Sequence, residues 1–246
     1  PMLKKVSLEL GGKNPVLIFD DADFEMMLER TVKSSYLNQG EICLCGSRIY
    51  VQEGIYQRFM KAFVEKVGEL KVGDPFDPET KVGALVSKEH LEKVAGYVDL
   101  ARSEGATVVL GGRRPPLTGP LAEGYFYEPT ILTGVKHSSR VQQEEIFGPV
   151  VTVTPFASEK EAIALANDVK YGLSATVWTE SMPRAHRVAD ALKTGTVWVN
   201  SWMLRELRAP FGGVKASGIG REGQDESREF FTDAKVVCLH YGGKDA

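Results

Sequence analysis

Hydrophobic and polar positions recur along this chain in two periods, and the switches between them predict its elements. RIYVQ (48–52) concentrates β-branched and aromatic residues and predicts a strand. The stretch after it sets Ile55, Phe59, Phe63 and Val67 at i, i+4 steps, the period of an amphipathic helix, until KVGDPFDP interrupts it with Gly and Pro. A second helix begins with Ser87 as N-cap and His90 in the capping-box position. It carries Leu91, Val94, Val98 and Ala101 on one face and stops at Gly105. Strands are predicted at ATVVLGG, PTILTGV and GPVVTVTPF. The helix SEKEAIALAND follows, with a capping-box pattern of Ser158 and Glu161. LSATVWT, MPRAHRVADALKTG and TVWVN give strand, helix and strand again, and AKVVCLHY predicts a last strand. Near the start, Asp23 caps a helix over about 23–37, along which Met26, Met27, Thr31 and Ser34 are spaced.

Strands separated by helices of this length need crossover connections. The predicted class is therefore α/β, a largely parallel twisted sheet flanked by helices. In such a sheet functional loops are expected at the carboxyl ends of strands. No repeat, low-complexity segment or flexible linker divides the 246 residues.

Composition narrows the function classes. A net charge of −3 and a pI near 5.9 argue against a nucleic-acid or anionic-membrane partner. No apolar run reaches the roughly 20 residues of a bilayer span, and PMLKKVSLELGGKN lacks a signal-peptide core. Three cysteines fit a reducing compartment better than a disulfide framework, so the expected location is the cytoplasm. Pro1-Met2 followed almost at once by the apolar segment Val6–Leu10 reads as a fragment boundary.

Chemistry concentrates in NQGEICLCGSR (38–48), with Cys43 and Cys45 one residue apart. The spacing suits neither a structural zinc site nor an unstrained disulfide, and no metal site is expected. Cys238, inside an apolar run, reads as a packed thiol. Cys43 stands in a polar, Gly-bearing loop, where it is either a small buried residue or a nucleophile. The second role requires access and a lowered pKa or a base. Glu9, in an apolar segment ending on Gly11 and Gly12, is either solvent-facing or a desolvated carboxyl with a raised pKa, as a general base would be.

Several segments together resemble the aldehyde dehydrogenase superfamily. Leu8–Pro15 (LELGGKNP) is similar to its glutamate signature, and Asn38–Cys43 (NQGEIC) with Arg48 to its cysteine signature. Glu145–Val150 (EIFGPV) is similar to its nicotinamide-side segment. Pro210–Gly213 with Lys215, Ser217-Gly218 and Gly220–Glu222 is similar to its C-terminal block. The motifs occur in family order, with Glu41 standing where the family often has Gln.

The resemblance implies Cys43 as the nucleophile, forming a thiohemiacetal and then a thioester as hydride leaves for the nicotinamide. It implies Glu9 as the base that activates the hydrolytic water. Glu145, Phe147 and Gly11 would contact the cofactor, NAD with NADP not excluded. Family members are about twice this length. Residues 1–12 are thus expected to be the last strand of a mostly absent cofactor-binding domain, 13–229 the catalytic domain, and 230–246 an oligomerisation strand and tail. The expected assembly is a homo-dimer or tetramer.

ICLC and WMLREL look most like the muconic semialdehyde dehydrogenases. The resemblance therefore implies a small carboxylated semialdehyde substrate, with Arg205 on its carboxylate, Arg208 as the competing candidate, and Phe211 at the substrate site. The competing reading is a truncated chain without dehydrogenase activity, keeping at most thiol esterase activity or an assembly role.

Overall fold

The computed structural model describes residues 3–242. It begins with the two-residue strand β1 (Leu8–Glu9), then β2 (Asn14–Ile18), helix α1 (Phe24–Tyr36), β3 (Gly46–Gln52) and α2 (Glu53–Gly68). Next come α3 (Lys88–Ser103), β4 (Thr107–Leu110), β5 (Thr130–Thr133), the single turn α4 (Arg140–Gln143), β6 (Val150–Phe156) and α5 (Glu159–Asn167). The chain closes with β7 (Tyr171–Gly172), β8 (Ser174–Trp178), α6 (Met182–Ala191), β9 (Thr196–Val199), β10 (Val214–Lys215), β11 (Gly218–Ile219) and α7 (Gln224–Phe231).

Seven strands form one sheet in the order β4-β5-β6-β3-β2-β8-β9, parallel throughout except for the antiparallel edge pair β4–β5. Because strand side chains alternate, the central strands feed two cores. Val16, Ile18, Ile49 and Val51 pack with Met27, Phe59 and Phe63 of α1 and α2 on one face. Leu17, Phe19, Tyr50 and Val177 pack with Ala162, Ala166 and Val188 of α5 and α6 on the other. Cover on both faces explains why β2 is buried from end to end and apolar after Asn14.

The helices start where their caps predict. Asp23, Ser87, Ser158 and Ser181 each accept a hydrogen bond from a backbone N–H in the first turn. At α5 the returning carboxylate, Glu161 Oε2, accepts from Ala157 N one residue outside the cap. Helix α1 turns Met27, Thr31 and Ser34 inward, but Met26 faces out and is exposed.

The predicted strand over AKVVCLHY does not form in this single chain. From 232 to 242 the backbone has no regular structure, and Val236, Val237, Leu239 and Tyr241 are exposed. A strand needs a neighbour to take its N–H and C=O groups, and none lies alongside it among the described residues. Cys238, expected to be packed, is exposed for the same reason. Residues 243–246, the end of the expected tail, lie outside the described residues.

Two buried cations lie under the amino ends of β2 and β3. Arg48 donates to Lys13 O at 2.8 Å, and to Leu165 O and Ala166 O at 3.0 and 2.8 Å, which caps the last turn of α5. Lys13 is buried with no hydrogen-bond partner for its ammonium among the described residues. Burial first, and the Arg48 charge second, bring its pKa down to about 7, partly offset by Glu145. The unfolded chain keeps this lysine protonated up to its ordinary value of 10.5 and so binds the extra proton between those limits. The Lys13 contribution to stability therefore rises with pH through that window and is most unfavourable at and below neutrality. Lys13→Met is expected to stabilise the fold by about 1–4 kcal/mol at pH 7, with a smaller gain at pH 9. Urea denaturation at both pH values checks this, and an equal gain at both would refute it.

Candidate active site

Residues preceding β2, β3 and β6 meet at one end of the sheet, and this is the amino end. The expectation of a site at the carboxyl ends is thereby corrected. The physical reason is local: the residues with chemistry stand just ahead of their strands, and parallel strands bring their starting points together.

After α1 the chain makes a tight turn through Asn38 and Gln39, both left-handed with φ 52° and 47°, and then Gly40 with φ 74°. Left-handed non-glycine residues cost on the order of 1–3 kcal/mol each, so neighbours must hold them. Gly40 is required on a second ground, since a Cβ there would overlap the Gly148 carbonyl. The turn throws residues 41–45 across the start of β2. There Asn14 Nδ2 donates to Cys43 O at 2.7 Å and to Cys45 O at 2.9 Å, while Asn14 Oδ1 accepts from Ser174 N at 3.1 Å.

Cys43 is half-buried in this loop. Its other flank is apolar: Leu44, Leu173, Trp198 and Trp202 form a cluster against which Ile42, Cys43, Met203 and Phe211 pack. Trp202 Nε1 donates to Leu44 O at 3.0 Å and Trp198 Nε1 to Leu204 O at 2.9 Å, fixing residues 200–204 beside the thiol. Cys45, by contrast, is buried, and burial pushes its thiol up to about 12, which leaves it inert.

Three charged groups act on Cys43. Burial raises its pKa first, then the negative charges of Glu9 and Glu145, while Arg205 lowers it. Glu9 reaches Gly213 N at 3.3 Å and stays solvent-exposed. Partial burial against the C-terminal block still raises its carboxyl, with Glu222 adding to the rise and Arg221 and Arg205 opposing it. Both alternatives posed for Glu9 thus hold at once. Glu145 is half-buried, and its Oε1 accepts from Gly12 N at 2.8 Å. Gly11 lies so close to this carboxylate that a Cβ would overlap Oε2. Phe147 is half-buried with φ 61°, a left-handed conformation unusual for an aromatic residue.

Arg205 and Phe211 lie together in an adjoining open cleft of about 370 Å³, whose wall also includes Trp198, Leu204 and Glu222. The Arg205 guanidinium sits over the Phe211 ring at 4.6 Å from its centroid. Arg208 is committed elsewhere, donating to Glu206 at 2.8 and 2.7 Å.

The structure therefore brings Cys43, Glu9, Glu145, Gly11 and Arg205 into one charged neighbourhood, with Phe147 and Phe211 on its flanks. Sequence reasoning gave no role to Asn14, Trp198 and Trp202, although a polar residue opening an otherwise apolar strand is a readable signal for Asn14. No group of three or more His, Cys, Asp or Glu among the described residues is arranged to hold a metal ion. No helix among them is long and apolar enough to cross a membrane.

Comparison with known proteins places these features in a class. The aldehyde dehydrogenase family model matches residues 1–237, so the chain belongs to the aldehyde dehydrogenase family. It is 54% identical over 243 residues to the 2-aminomuconic semialdehyde dehydrogenase of Mus musculus, covering 98% of this chain and 50% of that protein. It is 48% identical over 237 residues to the 2-hydroxymuconic semialdehyde dehydrogenase of Pseudomonas putida, covering 96% and 49%. A crystal structure of betaine aldehyde dehydrogenase from Staphylococcus aureus in complex with NAD+ superposes with a TM-score of 0.87 at 47% identity, covering 91% of this chain and 44% of that one. The chain spans about half the length of the curated relatives it matches.

The thiol's surroundings set its pH response. In a Cys238→Ser background, alkylation of Cys43 by iodoacetamide is expected to rise with a midpoint above the ordinary thiol value of about 8.5. Glu9→Gln removes a negative neighbour and lowers that midpoint, which makes alkylation at pH 7.5 about two- to tenfold faster. Arg205→Ala shifts it the other way. Unchanged midpoints in both variants would show that these charges do not reach the thiol.

Proposed function

We propose that this chain is the catalytic portion of an NAD-dependent dehydrogenase that oxidises a carboxylated semialdehyde, of the muconic semialdehyde kind, to the acid. The observation that carries the reading is the Cys43 thiol set near the Glu9 and Glu145 carboxylates, beside a cleft that presents Arg205, which has no carboxylate partner among the described residues. On this reading residues 1–12 close a cofactor-binding domain, 13–229 are the catalytic domain, and 230–246 serve homo-oligomerisation in a cytoplasmic dimer or tetramer. The exposed apolar side chains of the tail support that last role.

The donor set fits the nicotinamide end of NAD. Glu145 offers a half-buried carboxylate of the type that takes paired ribose hydroxyls, Gly11 leaves room for that carboxylate against the backbone, and Phe147 supplies a ring edge. NAD, when bound, supplies the acceptor for the aldehyde's hydride. The chain's own residues do the rest.

Cys43 gives its thiol proton to solvent, and Sγ adds to the carbonyl carbon, forming the C–S bond as the C=O π pair moves onto oxygen. The Cys43 N–H, which lies against its own sulfur, is the backbone donor at hand for that oxygen. Loss of hydride leaves a thioester on Cys43. Glu9, with its raised pKa, takes a proton from the water that attacks the thioester, and the C–S bond then breaks to release the acid. Arg205 binds the distal carboxylate of the substrate, and Phe211 holds the guanidinium in place.

A second reading rests on Cys43 and Glu9 both lying within this chain: it hydrolyses activated thiol-reactive esters without any cofactor. The two separate cleanly. The intact protein carrying this chain is expected to form NADH from 2-hydroxymuconate semialdehyde and NAD, followed by absorbance. Ester hydrolysis without NADH, abolished by Cys43→Ser, would instead establish the esterase.

The carboxylate assignment has its own check. Arg205→Ala is expected to raise KM for the carboxylated semialdehyde by the loss of about 1.5–3 kcal/mol, roughly 10- to 150-fold, and to leave KM for an uncharged aldehyde unchanged. An unaltered KM for the carboxylated substrate would refute it.

A further inference from the structure

We propose that His90 is a positioning residue for the hydride-transfer end of the site, holding Phe147 in its left-handed conformation through the Phe147 carbonyl. The inference rests on the reading that Phe147 borders the nicotinamide.

Phe147 has φ 61° with a bulky side chain, a conformation that persists only if its surroundings enforce it. Its carbonyl oxygen is met by His90 Nε2, and the two rings meet edge to face with centroids 6.2 Å apart and an interplanar angle of 72°. The same nitrogen lies 3.4 Å from Glu41 Oε1. A carbonyl and a carboxylate are both acceptors, so Nε2 must carry the hydrogen that they share. Both side chains are largely withdrawn from solvent, at 14% exposure for His90 and 9% for Glu41. His90 is itself fixed from behind, in the first turn of α3, where its backbone N–H donates to the Ser87 hydroxyl.

Glu41 completes the bracket. Its Oε1 accepts from Val86 N and its Oε2 from Gln39 Nε2, and Gln39 Oε1 accepts from Gly83 N. Glu41 stands two residues before Cys43, and Phe147 two residues after Glu145. One imidazole therefore joins the nucleophile loop to the loop bearing the cofactor-side residues, meeting the second at its strained residue Phe147 and the first at Glu41, just after the left-handed pair Asn38 and Gln39. With His90 cut back, Phe147 loses the hydrogen bond that selects its backbone conformation, while Glu41 keeps Val86 and Gln39 as partners. The defect should fall on the cofactor side rather than on the thiol.

The test uses the intact protein carrying this chain, with NAD and an aldehyde bearing hydrogen or deuterium at its carbonyl carbon. His90→Ala is expected to lower kcat about 10- to 100-fold, the cost of a small misplacement of reacting groups. It should also raise KM for NAD, leave KM for the aldehyde near the parent's, and give a larger primary isotope effect on kcat. His90→Gln retains an N–H donor and should recover most of the loss. A folded His90→Ala with the parent's KM for NAD and isotope effect would overturn the proposal. If His90→Ala fails to fold, His90→Gln decides: parent-like kinetics support the donor role, and kinetics as impaired as a cavity variant's refute it. A parent that forms no NADH refutes the dehydrogenase reading itself, whereas an active parent indifferent to His90 refutes only the positioning role.

Discussion

The Asn14 carboxamide holds the amino ends of β2, β3 and β8 to one another, and the site is built on that anchor. Both of its amide hydrogens are spent on the Cys43 and Cys45 carbonyls, and its oxygen takes the Ser174 N–H. No spare hydrogen-bonding capacity remains on the amide nitrogen, so the Cys43 loop cannot shift without stranding buried partners. The loop is pressed home from the other side as well, because a Cβ on Gly12 would overlap Cys43 O. From this fixed loop the remaining geometry follows. Trp202 bonds to Leu44, Gly40 packs on Gly148, and the segment from Glu145 to Phe147 is brought alongside.

Around that anchor the charges are set against the thiol's ionisation. Two carboxylates and partial burial favour neutral Cys43, and Arg205 alone among the named causes pulls the other way through its positive charge. Glu9 shares the tendency, its carboxyl raised by burial and by Glu222. A thiol and a carboxyl that both resist losing their protons are suited to exchanging them during a reaction rather than standing ionised in the resting state. Beneath them Lys13 and Arg48 place two cations in the interior. Arg48 makes four hydrogen bonds to carbonyls and the Tyr50 hydroxyl, and Lys13 answers only through charge to Glu145 and Glu144.

The elements were largely legible because their signals are local. Ser87, Ser158 and Asp23 cap the helices their spacing predicts, and the apolar runs at 48–52 and 150–156 are strands. Reading failed where the outcome depends on a neighbour. AKVVCLHY has a strand's composition but no edge beside it in this chain, and Cys238 is exposed with it. The site stands at the amino end of the sheet, against the general rule for carboxyl ends, because its motifs precede β2, β3 and β6.

Sequence alone determined that Cys43 rather than Cys45 aligns with the cysteine signature, since the surrounding motifs come in a family order. It also determined the alternation of strand and helix, because side-chain periodicity is a property of the local backbone. Only the tertiary structure decided what surrounds the thiol. Glu9, Glu145 and Arg205 lie far apart along the chain and converge through the parallel pairing of β2, β3 and β6, the antiparallel pairing of β1 with β11, and the loop that follows β9. It likewise decided that Arg205, and not Arg208, lacks a carboxylate partner among the described residues, because Glu206 folds back onto Arg208 and takes its Nε–Nη2 edge.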